Sequence, residues 1–340
     1  MNENINHYFS EVNEKIVTYS KKNIRLDIED GKMGLCLYFF KLSRLQHESR
    51  YQKIAEKILD DIYSELVSES TKISAYELAQ IGMGIYYLIR QKYVDGNLNL
   101  ILREIDKIIY RTIVFEKNPV TYKMNGIIPV LYFICMRIEK QNKGSDTRFI
   151  FEELGIKLFN HLYQSLDLEF YNETVIFNLL NYKLPQFILA VCKIYSLHFY
   201  NNRIIETLRE ISGLISSCLP VFHFNRLYLL WSLLNLKEVT QLNFWDEQID
   251  ILANHIDYQK TIYKELRNKD VFIQDGITGI YLLLNALKNT SHPIPFDKFI
   301  FQKRIEESII WKDENTFENL GLLNGLGGLL WVYYSIINEK

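Results

Sequence analysis

Any acid–base or metal chemistry in this chain must be assembled from residues far apart in sequence, because no GxSxG, Walker A or dinucleotide-binding step occurs in it. The four cysteines, Cys36, Cys135, Cys192 and Cys218, form no CxxC pair or other metal-ligand spacing, and read as buried thiols in a reducing compartment. The seven histidines show no HxxxH or HxH spacing. Three carboxylates, Asp30, Glu77 and Asp275, fall near the starts of apolar helical stretches. A carboxylate there can accept backbone N–H bonds as a helix cap, bind a cation, or pair with a second carboxylate across a cavity to cleave a glycosidic bond. Asp30 before Gly31, Asp275 before Gly276 and Asn324 before Gly325 share one place in a repeated pattern, which makes capping the expected role.

The elements that position these residues are legible in the periodicity. Apolar residues recur at i, i+3, i+4 and i+7, as in Tyr51 to Leu66, only six prolines occur in 340 residues, and strand-type alternation is nearly absent. The fold class is therefore expected to be all-α. Asp30-Gly-Lys-Met-Gly34 is repeated in Asp275-Gly-Ile-Thr-Gly279 and Asn324-Gly-Leu-Gly-Gly328, each a GxxG step opening an apolar helix. Weaker copies stand at Glu77, Gly126, Lys183 and Asn225, so that seven copies are spaced 42 to 57 residues apart, one helical hairpin per copy. The structural glycines are Gly31, Gly34, Gly126, Gly276, Gly279, Gly325 and Gly328. The helix after each step is almost wholly apolar and suits an inner layer, whereas Tyr51 to Leu66 is amphipathic and suits an outer one. Seven such hairpins closing on each other make an α/α toroid with no exposed end to cap. The chain reads as one domain over residues 1–340, with residues 1–25 as a lead-in helix.

Composition narrows the function classes. A formal charge of -2 from 39 basic and 41 acidic residues provides no field for nucleic acid or anionic lipid. The most apolar windows run about ten residues, too short for a span of ~20, and the start of the chain has no signal-peptide pattern, so a cytoplasmic location is expected. The 23 tyrosines and 20 phenylalanines exceed the needs of a helical core, and read first as a core repacked with aromatics and second as the lining of a concave surface.

The seven GxxG-headed hairpins, and above all Gly321-Leu-Leu-Asn-Gly-Leu-Gly-Gly328, resemble the lanthionine synthetase C-like family. The resemblance implies an α/α toroid and a cyclase for ribosomally made peptides, in which zinc held by two cysteines and one histidine activates a peptide thiol for addition to a dehydrated residue. The family's Cys-His-Gly step lines up with Gln274-Asp275-Gly276. Its Trp-Cys-x-Gly step falls near Phe222-His223-Phe224-Asn225, and its proton-handling His-Gly-x-Pro-Gly step near Tyr182-Lys183-Leu184-Pro185-Gln186. The resemblance thus implies Tyr182 and Asp275 as catalytic candidates and His223 and Asp275 as remnant metal ligands. His223, flanked by Phe222 and Phe224, also reads as a hydrogen-bonded interior residue, and Tyr182 and Lys183 as a solvent-facing loop tip.

With Gln274 at a ligand position, no zinc is expected, and the implied partner is a precursor peptide or a peptide-modifying enzyme. Two alternatives stay open: an active thioether-forming cyclase with an altered metal site, and a carbohydrate-active enzyme using Asp275, Glu77 or Asp30.

Overall fold

The computed structural model describes residues 3–22, 24–67, 73–115, 124–166, 168–174, 176–312 and 319–338, and among these every regular element is helical, as expected of an α/α toroid. In chain order the α-helices are α1 (Glu3–Ser20), α2 (Lys32–Gln46), α3 (Ser49–Val67), α4 (Ala75–Arg90), α5 (Leu98–Ile101), α6 (Arg103–Phe115), α7 (Met124–Lys140) and α8 (Asp146–Gln164). They continue with α9 (Lys183–Tyr195), α10 (Asn201–Ser217), α11 (His223–Thr240), α12 (Asp246–Asn254), α13 (Tyr258–Lys260), α14 (Ile277–Leu287), α15 (Lys298–Glu306) and α16 (Leu326–Asn338). All seven repeat copies lie at or within the first turn of a helix: α2, α4, α7, α9, α11, α14 and α16. The two copies that lack glycine, at Lys183 and Asn225, open helices as the others do.

Two compact units are distinguished: Met1–Arg103 with Leu266–Leu282 and Asp297–Lys340, and Glu104–Glu265 with Leu283–Phe296. In the first unit α16 packs on α2 and α2 on α4, so the last repeat-headed helix lies against the first. The lead-in helix α1 joins them there. Its Phe9 meets Tyr333 edge-on at 4.8 Å and Trp311 at 5.5 Å. In the second unit α7 packs on α9 and α9 on α11, the same side-by-side order.

The two helix types separate as their sequences require. Ten residues of α2, from Lys32 to Leu42, are buried, and α16 is buried over Leu326–Leu330 and beyond. The amphipathic helices bury one stripe only: Tyr51, Ala55, Ile58 and Ile62 in α3, and Ile105, Ile109 and Ile113 in α6. Among the described residues no helix is long and apolar enough to cross a membrane.

Candidate functional site

The first amides of a helix have no partner within it and must find one elsewhere. At the starts of α2, α14 and α16 in the first unit they find it by one rule. Lys32, Met33 and Gly34 donate their N–H groups to the carbonyls of Arg25, Leu26 and Asp27 at 2.9, 3.3 and 3.2 Å. Ile277 donates to Asp270 at 3.0 Å, Leu326 to Asn319 at 3.0 Å, and Gly328 to Gly321 at 3.3 Å. Donor follows acceptor by seven residues each time, so the preceding loop folds back across the helix start. A Cβ on Gly31 would lie 2.5 Å from the Arg25 carbonyl oxygen, and one on Gly276 2.5 Å from the Asp270 carbonyl carbon. The repeat needs glycine because backbone occupies the space of a side chain.

This overturns the expectation that Asp30 and Asp275 cap their helices. The N-cap of α2 is Gly31 with no side-chain cap bond. Asp30 instead accepts the N–H of Asn324, and the Asp275 carboxylate accepts its own N–H. Loop carbonyls already hold the helix amides, leaving the Asp30 side chain to reach the loop at Asn324. Glu77 alone of the three does cap, in a reciprocal box with Ser74 at the start of α4.

Glu29 joins three repeats in the same unit. Its carbonyl accepts Leu322 N and Leu323 N, both at 2.8 Å, and its carboxylate accepts the Tyr76 hydroxyl and, at 3.0 Å, the Gln80 amide. Gln80 Oε1 takes Ile28 N at 2.9 Å, and Gln274 N bonds the Leu323 carbonyl at 2.9 Å. Asp275 is half-buried beside this seam. Burial, then the negative charge of Asp270, raises its carboxyl above the ordinary value.

His223 and Tyr182 belong to the second unit. His223 is the first residue of α11, whose N-cap Phe222 offers no side-chain bond. The carboxylate of Glu265 supplies the cap, accepting His223 N at 2.8 Å and Phe224 N at 3.2 Å. Glu173 holds the preceding turn through Val221 N at 2.7 Å and Asn225 Nδ2 at 2.9 Å. His223 Nδ1 lies 3.0 Å from the His255 carbonyl and 3.2 Å from Asp257 N, so its ring is oriented by the main chain. Neither Glu173 nor Glu265 carries a sequence signal, since each reaches α11 from more than 40 positions away. Glu265→Ala is expected to cost about 1–2 kcal/mol, as loss of a cap does, read as a lower urea midpoint; an unchanged midpoint would remove Glu265 from this role.

Tyr182 is the N-cap residue of α9 and is 1% exposed, which corrects its reading as a solvent-facing loop tip. It packs edge-on against Tyr228 at 6.3 Å. Burial, then the nearby Cys218 and Glu173, disfavours its phenolate strongly, so it exchanges protons poorly near neutral pH. Along the helices of this unit Tyr228 stacks on Trp231 at 6.2 Å, and Trp231 remains partly accessible. Tyr132 on α7 is also partly accessible, although burial strongly disfavours its ionised form. Cys192 nearby is pushed up to about 12 by burial, an unreactive thiol.

A zinc ion held by two thiolates and an imidazole does not fit these residues. Gln274 offers a neutral amide, Cys218 is raised rather than activated, and burial is the cause. Among the described residues no group of three or more His, Cys, Asp or Glu is arranged to hold a metal ion. Asp275 lies in one compact unit and His223 and Tyr182 in the other.

No curated protein matches the chain. Residues 23–173, which span the hairpins from α2 through α8, match the family model described as "Lanthionine synthetase C-like protein". That stretch carries the first glycine step, Gly31 to Gly34, with the loop that folds back across it, and it is similar to the lanthionine synthetase C-like family.

Proposed function

We propose that the chain binds a peptide, or an enzyme that modifies one, in a ribosomal-peptide maturation system of the lanthipeptide type, with little or no zinc-dependent cyclase activity. The observation that carries this reading is the chemistry at the family's functional positions: Gln274 and Asp275 where a thiolate and an imidazole are expected, and a packed Tyr182 where a proton carrier is expected. Thiol activation needs a cation that deprotonates the sulfur, and a neutral amide beside a single carboxylate holds one poorly. Binding is supported by the partly accessible Tyr132 and Trp231, which offer aromatic stacking surface to an extended chain.

A carbohydrate-active role is less well supported, because Glu77 is engaged in its capping box and Asp30 in the bond to Asn324.

The test joins three measurements. Purified protein is expected to contain far less than one zinc per chain and to form no thioether on a dehydrated, cysteine-containing peptide. Pull-down from the native host is expected to recover a small precursor peptide or a modifying enzyme, and Trp231→Ala to reduce that recovery at least tenfold. Stoichiometric zinc together with ring formation would replace this reading by the active cyclase, and empty pull-downs would remove the binding role.

A further inference from the structure

On the outer face of the second unit, α6 is flanked by apolar side chains that the core does not use. Its buried stripe is Ile105, Ile109 and Ile113. On one flank, Tyr110 and Val114 line a groove of about 580 Å³ whose other wall is Phe149, Ile150 and Glu153 of α8. On the other flank, Ile108 and Phe115 line a second depression with Arg111. Phe149 is 62% exposed and Phe115 71%. An outer helix that needed only solvent on this side would carry charge there.

We infer that this face is a self-association surface, in which the α6 ridge of one copy seats in the α6/α8 groove of a second copy, and the reverse, about a two-fold axis.

Two observations favour a second copy of this chain over another partner. The first is charge. Arg111 stands on the ridge and Glu153 in the groove wall, and among the described residues neither has an ion-pair partner in its own chain. A two-fold interface is self-complementary, so that a ridge residue meets a groove residue twice. Arg111 of one copy opposite Glu153 of the other satisfies both charges in both places. The second is area. The exposed parts of Phe149, Phe115, Ile150, Ile108 and Tyr110 leave on the order of 500 Å² of side-chain surface, near the upper limit for a monomer's largest apolar patch. Two copies bury about twice that, which reaches the ~1,000 Å² at which specific interfaces begin. An interface of this size is expected to be of micromolar affinity.

Sedimentation equilibrium of the full chain tests it. The mass is expected to rise from the 40.4 kDa of one chain to twice that across the micromolar range. Phe149→Asp is expected to weaken association at least tenfold while the far-UV circular dichroism stays unchanged. Arg111→Glu and Glu153→Arg are each expected to weaken it similarly, and the double exchange to recover affinity to within about threefold of the parent. A single-chain mass up to about 200 µM overturns the proposal, and so does a double exchange as weak as either single variant.

Discussion

Gly328→Ala is expected to destabilise the protein by about 3 kcal/mol or more, or to prevent folding, although it adds one methyl group. The new Cβ would overlap the carbonyl oxygen of Leu322 and lie 2.9 Å from Ile273 Cδ1. A backbone oxygen cannot rotate away as a side chain can, so the loop must shift and forfeit the bonds that hold the start of α16. Gly34→Ala meets the same obstacle at the Ile28 carbonyl. Gly84 differs: its Cβ would meet only the flexible end of Met33, and a smaller loss is expected there. A Cβ on Gly213, within α10, would meet nothing within 4 Å among the described residues. Gly213→Ala is therefore expected to stabilise by about 0.5–1 kcal/mol through helix propensity and a less flexible unfolded chain. Urea denaturation of the four variants provides the check. Equal effects at Gly328 and Gly213 would show that the close approach of the loop is not what the repeat glycine serves.

The second large effect is expected at the ion pair joining α6 to α7. Arg137 is 2% exposed and donates from Nε and Nη2 to the two carboxylate oxygens of Asp106 at 3.0 and 2.8 Å, with Phe151 5.3 Å from the guanidinium. Among the described residues its Nη1 has no hydrogen-bond partner, so Asp106 is its main compensation. Asp106→Ala leaves a buried charge and is expected to cost about 3–5 kcal/mol. Replacing both by apolar residues of similar volume is expected to cost far less, since no charge is then stranded.

The same pair sets a pH signature. Burial raises the Asp106 carboxyl to about 6, outweighing the attraction of Arg137. A carboxyl near 3.9 when unfolded and about 6 when folded holds more protons in the native state between those values. Its contribution is complete below about pH 4 and is lost as pH rises through about 6. Asp106→Asn should remove that dependence. If parent and variant lose stability in parallel from pH 4 to 7, the carboxyl does not titrate as its burial requires.

The candidate site was legible only in part. The Tyr182, His223 and Asp275 positions came from alignment of short steps, and in the structure they are a packed phenol, a main-chain-oriented imidazole and a half-buried carboxyl. The carboxylates that fix α11, Glu173 and Glu265, had no signal because an ordinary Glu in a loop looks the same whether or not a distant helix start lies beside it.

The order of helices was written in the chain itself. Glycine steps and apolar runs mark seven helix starts and distinguish buried helices from amphipathic ones, because backbone approach and burial act on residue type directly. Tertiary structure alone decided how those starts are held. The bonds from the starts of α2, α14 and α16 to carbonyls seven residues earlier, the Glu29 link between the last repeat and the first two, and the burial of Tyr182 join main-chain groups or residues distant in sequence. Main-chain hydrogen bonds leave no mark on side-chain identity, and so no periodicity could have announced them.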